Sequence, residues 1–349
     1  MNFAFWNGKR VLLTGHTGFK GAWLCRILSD AGAQVTGYSL NPPTKPNLFE
    51  IASIEADIFS VIGDVRDFGN LEHTFLLSRP EIVIHMAAQP IVRESYQNPR
   101  YTYDTNVMGT VNLLECIRLH GGVRSLLNVT TDKVYENHER AEGYREEEPL
   151  DGFDPYSNSK SCSELVTHSY NNAFLKHNGC SVSTARAGNV IGGGDFASDR
   201  IIPDCIRAAL KREPVFVRNP NSTRPYQHVL EPLFAYLSIL ERQWENPMLA
   251  GWYNVGPDTC DCVTTGELVE LFCKYWGDNM RWETGRAVGP HEARLLQLNC
   301  DKLKQALDWR PRWHIQDAVE LTVAWTRAWQ SDEDIRTCMQ QQIKSYLED

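Results

Sequence analysis

No apolar stretch among the 349 residues approaches the roughly 18 needed to span a bilayer. The opening segment, Met1 to Lys9, is too short and polar for a signal peptide's apolar core. A helical membrane protein is excluded on this reading, and a cytoplasmic chain is expected. Positive charge is scarce: 35 Lys and Arg face 44 Asp and Glu, a net charge of −9. Nucleic acid is therefore not expected as a partner, because a phosphate backbone needs a basic face. A local basic pocket for a small phosphate ligand stays open. The ten cysteines contain no Cys-x-x-Cys, and the nearest pair, Cys260 and Cys262, is too isolated for a zinc site. No metal is expected, and the thiols are read as reduced and mostly buried. Internal repeats and low-complexity tracts are also missing.

The length suggests about two domains. The first half alternates short apolar runs with amphipathic stretches. Strands are expected at Arg10–Thr14, Gln34–Tyr38, Ile58–Ile62, Glu81–His85, Ser125–Val129 and Ser181–Arg186. Helices are expected at Phe19–Ala31, Val107–Leu119 and Pro155–Lys176. Such alternation predicts an α/β fold, a doubly wound parallel sheet of Rossmann type covered on both faces. After Ala187 come loop signals, Gly192-Gly193-Gly194 and Arg218 to Pro225, then helices at Thr265–Trp276 and Ile315–Trp329. A polar terminal helix from Asp332 is expected to be a peripheral cover. Residues 1–186, joined by part of 226–256, are assigned to a dinucleotide-binding domain. Residues 187–349 are assigned mainly to a smaller mixed lobe, with the ligand cleft between them.

The strongest local signal is Gly15-His16-Thr17-Gly18-Phe19-Lys20-Gly21, lying between a strand and a helix. Gly15 permits a tight turn, Gly18 leaves room for a pyrophosphate, and Gly21 lets helix and strand pack closely. The helix N-terminus adds free N–H donors. The spacing is Gly-x-x-Gly-x-x-Gly. No acid ends the second strand, Gly37-Tyr38-Ser39-Leu40, to hold an adenine ribose, and no Arg stands there for a 2′-phosphate. NAD against NADP is thus left open. Asp64, with Val65 after it, is either an adenine contact or a turn aspartate.

Tyr156 and Lys160 lie four residues apart at the start of a helix, on one face. A nearby ammonium stabilises a phenolate, so Tyr156 is expected to have a lowered pKa and to act as a base. Thr131, Asp132 and Lys133 follow a buried strand, at the end where a doubly wound sheet places its chemistry. They offer a hydroxyl ligand and an acid–base pair, or else a turn with a surface ion pair.

Together these elements resemble the extended short-chain dehydrogenase/reductase superfamily, and within it the nucleotide-sugar 4,6-dehydratases, most of all the CDP-glucose 4,6-dehydratase family. The resemblance spans nearly the whole chain. It rests on Thr14 to Gly21 with Trp23-Leu24; His85 to Pro90; Val92-Arg93 with Ser95-Tyr96; and Thr131-Asp132-Lys133 with Tyr135-Glu136-Asn137. In the second half it rests on Arg186 to Asp195 and Arg224-Pro225-Tyr226-Gln227-His228-Val229. Lys133 after Asp132, and Gln227-His228 after Arg224-Pro225, point to the subgroup. Phe196 and Tyr226 stand where that subgroup is expected to carry Trp.

The resemblance implies an internal redox dehydration with NAD as cofactor. Tyr156 would take the proton of a sugar 4-hydroxyl held by Thr131, while the C4 hydride passes to NAD. The 4-ketone acidifies C5, water leaves from C6, and the hydride returns to C6. Asp132 would be the acid for the leaving water and Lys133 the base at C5. Lys160 would hold the nicotinamide ribose. Thr17, Phe19, Lys20, Ala87, Ala88 and Asn106 would line the cofactor. Gln89, Asn189, Arg200, Arg218, Arg224 and Gln227 would hold the nucleotide sugar. For each Arg a surface charge is the alternative, and for Asn106 a structural role. A homodimer through a four-helix bundle built from Tyr101–Leu119 and Tyr156–Lys176 is implied as well. A 4-epimerase of the same fold is the rival, with a non-catalytic dinucleotide sensor behind it; an epimerase needs no acid at C6.

Overall fold

The computed structural model describes residues 2–285 and 295–348. Seven strands form the central sheet: β1 (Arg10–Thr14), β2 (Gln34–Ser39), β3 (Phe59–Ile62), β4 (Ile82–His85), β5 (Ser125–Val129), β6 (Ser181–Ala187) and β7 (Trp252–Val255). They run parallel in the order β7-β6-β5-β4-β1-β2-β3. The inner strands are apolar runs because both faces are covered, and β4, β5 and β6 are buried along their whole length.

The helices around it are α1 (Phe19–Asp30), α2 (Phe68–Ser78), α3 (Gly109–His120), α4 (Pro155–Tyr170), α5 (Ile201–Lys211), α6 (Leu230–Glu245), α7 (Thr265–Trp276), α8 (Ile315–Gln330) and α9 (Ile335–Glu348). One face of the sheet packs on α1 and α6, the other on α2 and α3. Asp154 caps α4 by accepting from the Ser157 amide at 3.0 Å, and Pro155 fills the first turn, where no amide is needed. Among the described residues, no helix is long and apolar enough to cross a membrane.

Strand order reverses between β1 and β4, where a doubly wound sheet binds its ligand. That junction is held by a polar chain. The Thr14 hydroxyl accepts from the Met86 and Ala87 amides, so its own proton goes to His85 Nδ1 at 2.7 Å. His85 Nε2 then donates to Thr110 at 3.1 Å. Burial, with the Lys160 charge, pulls His85 down to about 3, so it stays neutral.

A second core lies beyond the cleft. Ile202, Cys205 and Ile206 of α5 meet Leu268, Val269 and Phe272 of α7 and the first half of α8. Short strand pairs join Val215–Val217 to Trp282–Thr284 and Thr223–Pro225 to Cys262–Thr264. The C-terminal helices correct the expected division. Trp325 and Ala328 of α8, and Ile335, Met339, Ile343 and Tyr346 of α9, bury into the core of the first lobe. The terminal helix is therefore no polar cover: an apolar stripe at spacings of four, four and three runs between its three glutamines and Lys344.

Candidate active site

The three glycines of the phosphate loop meet three different constraints. Gly15 sits at φ +84° against β4's exit, and a Cβ there would lie 2.9 Å from the Ala87 amide nitrogen. Gly18 opens α1 without a side-chain cap, and a Cβ there would meet only the Gly15 carbonyl, at 3.5 Å. Gly18 thus leaves room beside the uncapped first turn of α1, as a diphosphate requires. At Gly21 a Cβ would stand 2.1 Å from the Gly15 carbonyl oxygen, so the helix packs on the loop itself. Gly21→Ala is expected to cost about 1–3 kcal/mol, as overpacking does. A thermal melt checks it; an unchanged midpoint would contradict the packing role.

The catalytic candidates converge at the carboxyl end of β5. Thr131 donates to Asp132 Oδ1 at 2.9 Å, and Lys133 Nζ donates to the same oxygen at 2.9 Å. Asp132 is fully buried, and its Oδ2 has no partner among the described residues. Lys133 also donates to Asn189 Oδ1 at 3.3 Å. Tyr156 is brought alongside by the first turn of α4. Lys160, one turn on, donates to the Val129 carbonyl at 3.0 Å.

The expected depression of the Tyr156 phenol is not what this site produces. Burial pushes it up to about 12, with the Thr131 hydroxyl pulling the other way. Desolvation of the phenolate wins, with Asp132 adding to it, over the opposing Thr131 hydroxyl and Arg200 charge. Burial pulls Lys160 down to about 8, with Glu164 opposing.

Behind this group lies a buried network. Glu164 accepts from Thr130, from Thr184 at 2.7 Å and from Arg186 at 3.0 Å, with His168 at 3.3 Å. Arg186 also donates to the Tyr135 hydroxyl and the Glu146 carbonyl. Burial alone would push Glu164 up, but His168 and Arg186 outweigh it and hold it at about 2. Thr130, next to Thr131, is anchored through this carboxylate.

A cavity of about 310 Å³ opens in front. Thr130, Thr131, Lys133, Tyr156, Asn189, Phe19 and Lys20 line its inner end; Arg200, Arg218 and Arg224 line it from the second lobe. Arg200 is paired with Asp195 at 2.9 Å and lies close enough to Tyr156 to act on its charge. Arg218 reaches Asp199 at 3.3 Å, and Asp199 also meets Arg93 at 3.6 Å. Tyr226 is buried at the cavity wall with its hydroxyl 3.2 Å from Thr265. Phe196 packs edge-on against Trp325 and Trp329, so its flat face serves the core.

Several residues selected from the sequence point elsewhere. Asn106 lies in a π-turn (Asp104–Met108), donates to the Gln89 carbonyl and Ser159, and accepts from the Gln89 amide. Its amide is fully engaged in holding α4 to the β4 loop. Gln89 donates to Thr102 and accepts from the Ile91 amide, so its side chain is turned inward. Gln227 is buried and donates to the Val255 carbonyl. Val65 packs its side chain into the core beside Gly109. Thr17 bridges Ser39 and the Leu40 carbonyl, fastening the loop to β2. Asp64 is clamped by Arg66 at 2.9 Å, whose hydrogen bonds hold its carboxyl below the usual range. Ala87 and Ala88 are half-buried at the β4 exit. Asp195 and the Glu164–Arg186 pair were not singled out as site residues; Glu164 and Arg186, 22 residues apart, carry no local signal of pairing.

The model of one protein family, GDP-mannose 4,6 dehydratase, matches residues 12–322. The chain belongs to that family. One relative in the same range of chemistry, CDP-glucose 4,6-dehydratase from Salmonella typhimurium, is 46% identical, covering 98% of this chain and 97% of its own. UDP-glucose 4-epimerase from Thermus thermophilus, solved in complex with NAD, superposes with a TM-score of 0.79 at 27% identity, over 91% of this chain and 99% of that one. The dTDP-glucose 4,6-dehydratase of Bacillus anthracis, at a TM-score of 0.77 and 23% identity over 95% of this chain and all of that one, shares the fold. In this chain Phe19 and Lys20 of the glycine loop, Thr131 and Tyr156 line one cavity.

Proposed function

We propose that this protein removes water from CDP-glucose to give the 4-keto-6-deoxy sugar, with NAD seated on the Gly15–Gly21 loop. The observation that carries the reading is the Asp132–Lys133 pair beside Thr131 and Tyr156. Thr131 and Tyr156 handle a 4-hydroxyl, and the adjoining pair supplies what dehydration needs and epimerisation does not. NAD bound there supplies a hydride acceptor, and afterwards a donor. Gly18 and the first amides of α1 would hold its diphosphate and Lys160 its ribose.

Tyr156 accepts the 4-hydroxyl proton while Thr131 keeps that oxygen in line. Lys133 and Asp132 form an ion pair in the cleft, which leaves Lys133 a donor and not yet the base expected from the sequence. Substrate entry removes water, and a desolvated ion pair is costly. Transfer of one proton from Lys133 Nζ to Asp132 leaves an amine and a carboxylic acid. The amine accepts the C5 proton, the acid protonates the C6 oxygen, and water departs. Asp132 is then carboxylate and Lys133 ammonium; as C6 is reduced, Lys133 returns a proton to C5, and the proton taken up by Tyr156 passes back to Lys133, so the pair is restored. Lys133→Ala is expected to slow C5 hydrogen exchange with solvent by roughly 10²-fold or more. Deuterium incorporation at C5 checks it; exchange at the normal rate would remove Lys133 from this role.

Arg218 and Arg224 would bind the substrate diphosphate, and Asn189 would join them at the sugar end. Exposed Met108, Leu119, Leu165 and Phe174 lie along the helices expected to form a four-helix bundle, which supports a homodimer. The free thiols fit a reducing cytoplasm. The deciding experiment incubates the protein with CDP-, dTDP-, GDP- and UDP-sugars, with NAD or NADP, and follows mass. Loss of one water from CDP-glucose without net NADH is expected. Loss from another nucleotide alone would reassign the base, and loss from none would overturn the dehydratase reading.

A further inference from the structure

Away from the active site, one cluster joins three ligating side chains from two distant parts of the chain. Cys260 and Asp261 lie in the short turn Thr259–Asp261, and His314 stands immediately before α8, 53 residues beyond Asp261. The Asp261 carboxylate is buried, and both its oxygens are held. Oδ1 accepts from the Ile315 amide at 2.9 Å, and Oδ2 accepts from His314 Nδ1 at 2.9 Å. The Cys260 Sγ lies 3.5 Å from that same Oδ2. One ligand atom from each of the three residues falls within 4.8 Å of the other two. Among the described residues, His314 is the sole ion-pair partner of Asp261.

Zinc binds a thiolate sulfur at about 2.3 Å and an imidazole nitrogen or carboxylate oxygen at about 2.0–2.2 Å. A tetrahedron of those bonds sets sulfur and oxygen about 3.5 Å apart, and nitrogen and oxygen about 3.3 Å apart. The sulfur–oxygen edge is already met, and the nitrogen–oxygen edge needs only a small opening. A thiolate beside an imidazole selects a borderline-soft cation over calcium or magnesium. We propose that Cys260, Asp261 and His314 bind one zinc ion, with solvent in the fourth position, and that the ion clips the Thr259–Asp261 turn to the start of α8. Coordination needs the thiolate and an Nδ1 lone pair. The thiol proton therefore leaves to solvent, and the imidazole keeps its proton on Nε2.

Sequence spacing gives no metal site here, because the third ligand is brought in by tertiary packing. The Ile315 amide fixes the carboxylate from behind, as an outer partner does for a metal ligand. The turn leads into Cys262–Thr264, which pairs antiparallel with Thr223–Pro225, the strand of Arg224. α8 in turn carries Ile315, Ala318 and Val319 into the second core and Trp325 into the first. The ion ties a wall of the second lobe to the helix that serves both cores. Cys260, Asp261 and His314 do not line the active-site cavity, so the ion bears on stability.

The test strips the protein with a chelator under a non-thiol reductant, then titrates it with zinc by calorimetry and with cobalt by absorbance. One equivalent per chain is expected, with the near-ultraviolet absorption of a cobalt–thiolate bond and a melting temperature that rises with added zinc. Cys260→Ser is expected to abolish that absorption, and His314→Gln to keep it. Each should weaken zinc by roughly tenfold or more, the cost of losing even a partner that only orients a ligand. Both side chains are exposed, so neither variant should lose the fold, and metal-free melts check that. Cys262→Ser should bind as the unaltered protein does, and magnesium should not compete. No uptake, cobalt bound without thiolate absorption, or unchanged zinc affinity in Cys260→Ser and His314→Gln would each overturn the site. So would absorption lost in Cys262→Ser and kept in Cys260→Ser, which would give the ion to Cys262. A melting temperature unmoved by bound zinc would overturn the clip.

Discussion

Tyr156→Phe is expected to lower turnover by roughly 10²–10⁴-fold, the range for loss of a positioned acid–base group. The ring remains, and Tyr156 is only one side of a cavity wall, so the fold and the cofactor loop should be untouched. Melting temperature and NADH affinity should therefore stay at the unaltered values while loss of water stops. The direction of the phenol's shift sharpens the expectation. Burial holds it at about 12, so the free protein carries Tyr156 as neutral phenol across the physiological range. Ionisation is expected in the ternary complex, where the positive nicotinamide of the proposed NAD would replace lost solvation. A pH profile of kcat should accordingly show a lower apparent pKa than a titration of the phenol in the free protein. Near-normal turnover in Tyr156→Phe would remove this residue from the chemistry.

Arg186→Ala is expected to destabilise the protein by about 3–5 kcal/mol, because it strands Glu164 as a buried charge. Arg186 is 1% exposed and Glu164 is wholly enclosed, so no water can compensate. The loss should extend to activity, since Thr130 hangs on the same carboxylate. Denaturant unfolding of Arg186→Ala and of the double variant Arg186→Met with Glu164→Leu separates the two effects. The double variant should recover much of the stability and little of the turnover. The pH dependence follows from Glu164 being held at about 2 from its usual 4.5. A depressed carboxylate contributes stability above its unfolded value, and that contribution fades as pH falls from 4.5 toward 2. Arg186→Ala should flatten this acid limb. A change below about 1 kcal/mol would refute the buttress.

These two residues also mark what could be read without coordinates. The glycine loop and the Tyr156–Lys160 spacing were legible because backbone sterics and helical pitch act over a few residues. Glu164 and Arg186 were not, because their pairing is set by the approach of α4 to β6. Asn106, Gln89 and Gln227, expected at the ligands, show a related limit: each has a side-chain amide that bonds within the protein. Residue type tells that an amide needs partners, but only side-chain direction tells whether the partners are the protein's own. The π-turn that swings Asn106 toward Gln89 breaks the helical period that a sequence reading follows. Tyr156 shows the electrostatic version: spacing reveals the nearby Lys160 charge and hides the loss of solvent around the phenol.

The way α6, β7 and α9 return to the first lobe has a consequence for how the chain is made. A nascent chain that has just completed β6 exposes an unfinished sheet edge and the apolar faces of β4, β5 and α1. Those surfaces wait for β7 and α6, and then for Ile335 to Tyr346, to cover them. The second lobe must be synthesised in between. The first lobe therefore closes only after the second has been made. Cutting the chain after residue 186 would yield an adhesive fragment in place of a portable dinucleotide module.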